Sequence, residues 1–124
     1  METTPAPVII GSMKIAMTNA PPEQADTIAR TLVHERLVAC VNAYPVNSTY
    51  RWEGKIEMQG ETTLMMKVAA SAVARLRTRL CELHPYDLPE FVVIDVDPRL
   101  SLAAYVDWVR AESGGGEKSG AGER

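Results

Sequence analysis

The sequence predicts a single α+β domain: an antiparallel sheet in a split βαβ, ferredoxin-like arrangement with helices on one face, a long β-hairpin and an extra C-terminal helix. Three observations carry this. The hydrophobic period switches between two and about 3.6 residues in the order strand, helix, strand, strand, helix, strand, helix. Glu53-Gly54 is a turn signal between two long extended segments. The 124 residues suffice for one core and not for two.

The first strand is expected between Val8 and Thr18, most clearly where Met13, Ile15 and Met17 alternate with Lys14 and Ala16. Pro21-Pro22-Glu23 then suits a helix start, where backbone N–H groups lack intrahelical partners. Ala25, Ile28, Ala29 and Leu32 form the inward stripe of that first helix. Cys40 to Tyr44 reads as a strand that ends at Pro45, and Thr49 to Trp52 resumes it. Lys55 to Val68 is the return arm, with a bulge or loop expected between Glu57 and Glu61. Ser71 opens a second helix whose stripe is Val73, Leu76, Leu80 and Leu83, and His84-Pro85 closes it. The continuous apolar run from Phe91 to Ile94 suits a strand covered on both sides. Ser101 can cap a last helix carrying Leu102, Tyr105, Val106 and Val109. The domain is thus expected over 8–112, with flexible tails at 1–7 and 113–124.

Charge and cysteine usage narrow the class. Thirteen basic against sixteen acidic residues leave a formal charge of -3, which gives no general attraction to nucleic acid or to an anionic membrane. Val8-Ile9-Ile10 is far too short to span a bilayer. Cys40 and Cys81 stand apart, outside any Cys-x-x-Cys pattern, which favours a reducing compartment and a cytoplasmic location. No nucleophile elbow, Gly-rich phosphate loop or His-Glu-x-x-His is present, so the sequence points away from an enzyme.

Five segments go beyond fold: Leu37-Val38-Ala39-Cys40-Val41-Asn42; Tyr50-Arg51-Trp52-Glu53-Gly54-Lys55-Ile56; Glu61 and Lys67 bracketing the return arm; His84-Pro85-Tyr86-Asp87-Leu88-Pro89-Glu90; and Tyr105-Val106-Asp107-Trp108. In this order and spacing they resemble the motifs of the CutA family of divalent-cation tolerance proteins, over roughly residues 8 to 110. The resemblance implies a homotrimer of ferredoxin-like subunits whose hairpins pair between neighbours, leaving clefts at the subunit boundaries. The hairpin argues independently for a partner. Its arms are too long for so small a domain to cover, and a closed ring would remove the exposed edges.

Each candidate residue has a functional and a plain reading. His84, at a helix end, can present an imidazole to copper or another divalent cation, or simply satisfy the last carbonyls of the helix. Tyr86 and Glu90 lie on a loop stiffened by Pro85 and Pro89, which suits a site or a bare connection. Tyr50 and Trp52, two apart on a strand, face one side and can stack on a small ligand or pack on a neighbouring subunit. Lys67 interrupts an apolar strand and can meet an anion in a cleft or reach solvent. Cys40 can belong to the cleft or be a small core residue. Cys81 is assigned no role, and His34 reads as solvated. Relatives credited with copper binding resemble this chain except at two ligand positions, where Met17 and Leu83 stand instead of cysteine and histidine. The expectation is therefore a protein of the response to metal ions that binds copper weakly through His84. A PII-like module holding a small anion in intersubunit clefts, through Lys67, Trp52 and Tyr86, is the alternative. A structural anchor for another protein is a third.

Overall fold

The structure, a computed structural model, describes residues 12–114. The elements are β1 (Met13–Ala20), α1 (Pro22–His34), β2 (Cys40–Trp52), β3 (Lys55–Ala69), a 3-10 turn (Ala70–Ala72), α2 (Val73–Leu83), β4 (Val92–Asp95) and α3 (Ala103–Glu112). The sheet order is β2-β3-β1-β4 with every pair antiparallel, the ferredoxin-like order the element sequence predicts.

Alternation along β1 explains the layering. Ala16 and Ala20 face α1 and α2, joining Ile28, Leu32, Leu64, Met66, Leu76 and Leu80 in the main core. Met13 and Ile15 face the other way, against Val106 and Val109 of α3. The extra helix thus closes part of the second sheet face and leaves the rest of that face for a site. No helix among the described residues is long and apolar enough to cross a membrane.

Four local expectations change. β2 runs unbroken through Pro45, because β2 is an edge strand and the proline nitrogen costs no ladder bond there. β3 carries no bulge: pairing runs one-to-one from Cys40↔Lys67 to Trp52↔Lys55. β4 is the opposite edge, and Val92, Val93 and Ile94 are exposed in the single chain rather than covered on both sides. Ser101 does not cap α3; Leu102 is at the cap position, and the Ser101 hydroxyl donates to the Asp97 carbonyl.

The chain end also differs. Ser113, placed with the loose tail, is buried, accepting the Ala69 N–H at 2.8 Å and donating to the Val109 carbonyl at 2.5 Å. Gly114 donates to the Arg36 carbonyl and accepts from Arg75. Residues 1–7 and 115–124 lie outside the described residues, as does most of the stretch from Val8 to Ser12 expected to open the first strand.

Candidate ligand cleft

Strand register decides where the cleft lies. β1 pairs with β3 only as far as Ala20↔Thr62, whereas β2 follows β3 to its start at Lys55. The hairpin beyond Thr62 therefore projects past the sheet. Its tip is a two-residue turn with positive φ at Glu53 (50°) and Gly54 (80°), the backbone that matches the twist of paired strands. After α2, residues 84–90 fold back against the base of this projection.

Short hydrogen bonds fix that loop. The Tyr86 hydroxyl donates to Glu61 Oε2 at 2.7 Å and accepts from Gln59 Nε2 at 2.9 Å. The His84 ring lies 4.8 Å from the Tyr86 ring, centroid to centroid. Its Nε2 sits 2.8 Å from the Asn19 carbonyl oxygen, and its Nδ1 accepts the Tyr86 N–H at 3.3 Å. A carbonyl can only accept, so Nε2 carries the proton. Asn19 Nδ2 donates to Glu90 Oε1 at 3.3 Å, while its Oδ1 accepts from the Thr63 hydroxyl at 2.6 Å. Between hairpin and loop lies a cleft of about 770 Å³, whose walls include Tyr50, Trp52, Glu61, Tyr86, Asp87 and Glu90. That volume suits a small organic molecule.

The electrostatics are acidic. Glu61, Asp87 and Glu90 line the cleft against one guanidinium, that of Arg51. No ion pair among the described residues involves Glu61 or Glu90. Burial, then repulsion from Glu61, raises the Glu90 carboxyl above its ordinary value. Burial and the bond to Glu61 push Tyr86 up to about 12, so it stays a hydrogen-bond donor at neutral pH.

The comparisons with known proteins agree with this scaffold. The model of the family "CutA1 divalent ion tolerance protein" matches residues 13–112. The chain belongs to the CutA family. The divalent-cation tolerance protein CutA of Thermus thermophilus is 38% identical, the match covering 82% of this chain and 98% of that protein. Human protein CutA is also 38% identical over 81% of this chain, which spans 56% of the human protein's length. Among solved structures, the PII-like protein CutA from Nostoc sp. PCC 7120 in apo form is 57% identical. It superposes with a TM-score of 0.80, covering 81% of this chain and 96% of that one.

Set within this CutA fold, the expected site residues divide. Tyr50, Trp52, Tyr86 and Glu90 meet in one cleft. Cys40 and Lys67 do not: they are cross-strand partners at the far end of the hairpin. Six residues of extended chain separate Lys67 from Glu61, about 20 Å. The Lys67 ammonium donates to Asn42, and neither residue touches the cleft. Lys67, on which the expected intersubunit anion site relied, thus lies outside this cleft of the single chain, whose own charged lining is mainly acidic.

His84 is a buried residue, 6% exposed, and its ring nitrogens engage backbone groups of β1 and of the loop rather than the last carbonyls of α2. Metal coordination needs a free lone pair, and the one on Nδ1 could be offered only by displacing the Tyr86 N–H. Leu83 packs against the main core. Among the described residues no group of three or more His, Cys, Asp or Glu side chains could hold a metal ion. The donor set does not fit a tight copper site.

Sequence reasoning gave no site role to Asn19, Gln59 and Glu61. Glu61 and Gln59 share a strand parity with Lys67, but only the β1–β3 register places Asn19 beside them. The loop's approach to the hairpin is a tertiary event that no local pattern encodes.

Proposed function

We propose that this protein is a non-enzymatic, homotrimeric binding protein of the CutA type, acting in the cytoplasm, that holds a small ligand in the cleft between the β2–β3 hairpin and residues 84–90. One observation carries the reading: three aromatic rings and the Glu61 and Glu90 carboxylates line a single cleft whose loop is pinned by short hydrogen bonds. The rigid wall favours recognition, since little is lost in ordering it on binding. The PII-like description of the Nostoc structure supports a ligand-responsive role by analogy of fold. Free edges at β2 and β4, with Ile56 and Met58 exposed on the hairpin, support assembly with further copies.

The test is calorimetric titration of the purified protein with nucleotides, amino acids, amines and divalent metal ions, repeated on Trp52→Ala. Saturable binding that falls at least tenfold in Trp52→Ala supports the reading. Binding that is indifferent to Trp52 places the working site elsewhere.

The name of the family supports a second reading, a role in the response to divalent cations. In this chain such contact falls to the oxygen ligands Glu61 and Glu90, which suit hard cations better than copper. Magnesium or calcium affinity unchanged by Glu61→Gln and Glu90→Gln together would remove it.

A further inference from the structure

Glu61 is unusual among the carboxylates of this chain. It is 6% exposed, yet among the described residues its one hydrogen-bond partner is the Tyr86 hydroxyl, on Oε2. Among the described residues Oε1 has no partner, and it is not among the fully enclosed polar atoms; Glu61 lines the cleft. A carboxylate withdrawn from water with one phenolic donor is poorly compensated, and a positive charge brought to it recovers much of that cost. Glu90 stands on the same cleft, close enough that the two carboxylates repel. A cation between them relieves that repulsion as well.

Aromatic groups decide what kind of cation. Tyr50 and Trp52 are half-exposed on the hairpin wall, and Tyr86 lies opposite on the loop. Ring faces attract ammonium and guanidinium groups, and they cover apolar carbon at the same time. A bare metal ion uses no such wall, and two carboxylates give it few ligands. An anion meets Glu61, Asp87 and Glu90 at once.

We propose that the cleft selects a small organic cation: an ammonium or guanidinium group seated between Glu61 and Glu90, its carbon body running along Tyr86 and Tyr50 toward Trp52. This rests on the reading that the cleft is the binding site, and it specifies the chemical class of the ligand.

The experiment is calorimetric titration of the assembled full-length protein with four probes: phenethylammonium, agmatine, the neutral 2-phenylethanol and the anion phenylacetate. At least one of the two cations is expected to bind tenfold or more tightly than both uncharged and anionic probes. Glu61→Gln keeps the Tyr86 bond while removing the charge, and it is expected to erase that preference. Glu90→Gln serves as the second variant should Glu61→Gln fold poorly, with the same loss expected. Phenylacetate or 2-phenylethanol binding as well as the cations, with Trp52→Ala abolishing it, overturns the cation proposal and leaves the cleft reading standing. A cation preference that survives both glutamine variants overturns the seat at Glu61 and Glu90. No binding of any probe at millimolar concentration overturns the proposal, and the broader titrations then decide whether the cleft binds anything. Suppression of phenethylammonium binding by equimolar magnesium or copper would show that the carboxylate pair prefers a metal, which also overturns it.

Discussion

His84 shows how one side chain can look like a ligand and work as a fastener. It joins the carbonyl of Asn19 in β1 to the N–H of Tyr86, and so sets the loop that carries Tyr86 and Glu90. His84→Ala would leave a buried carbonyl and a backbone N–H without partners. A loss of about 1–3 kcal/mol in denaturant unfolding is expected, with copper affinity of the folded variant within about twofold of the parent. A tenfold fall in copper affinity at intact folding would restore the metal role. Glu90 gives a pH test. Its carboxyl is raised by burial and by Glu61, so the folded state holds that proton more tightly than the unfolded chain does. This contribution favours folding at low pH and is lost as pH rises through the raised value. Glu90→Gln should therefore gain stability relative to the parent between about pH 4 and pH 7, read as the difference in Tm across that window. A difference that shrinks with rising pH would contradict the assignment. At this scale the aromatic half of the site was legible, because Tyr50 and Trp52 share a strand face and Tyr86 sits between two prolines. The carboxylate half was not. Glu61 looks like any exposed strand residue until the loop from α2 covers it.

The elements were legible where period and turn chemistry agree. α1 and α2 bury the stripes their spacing announces, and Glu53-Gly54 makes the turn its glycine suggests. Pro45 misled because an edge strand tolerates what an interior strand does not, and edge position is fixed only by the sheet order. The end of α3 misled for a similar reason. Ser113 is polar and heads a glycine-rich segment, yet its hydroxyl is the acceptor for the last N–H of β3. Arg36, with φ at 61° just past α1, adds to the clasp: its guanidinium donates to the Ala111 carbonyl and its own carbonyl accepts from Gly114. This clasp holds α3 on the second sheet face and keeps that face's far end closed. A chain ending at Glu112 is expected to be less stable than one ending at Gly114 by about 1–3 kcal/mol, with Ser113→Ala in the longer chain reproducing most of that loss. Equal urea midpoints for the two chains would show that the clasp contributes nothing.

For the whole molecule, the fold followed from element order, and the assembly follows from what the single chain leaves uncovered. The hairpin carries Ile56 and Met58 into solvent, and β4 exposes Val92, Val93 and Ile94. Light scattering at micromolar concentration is expected to give three times the 13.6 kDa chain mass; a stable monomer or dimer would contradict the ring. The cleft runs along one face of the same hairpin, from Glu61 near its base to Trp52 beside the turn, so the expected assembly and ligand binding draw on one element. The most direct test of the cleft as the working site is amide and indole resonance mapping of the assembled protein during titration with metabolites, amines and divalent metal ions. The expected result is a saturable shift at Tyr50, Trp52, Glu61, Tyr86 and Glu90 with at least one of these ligands, while Cys40 and Lys67 stay unmoved. Shifts centred on Cys40 and Lys67, or none at the cleft when a ligand demonstrably binds, would contradict it.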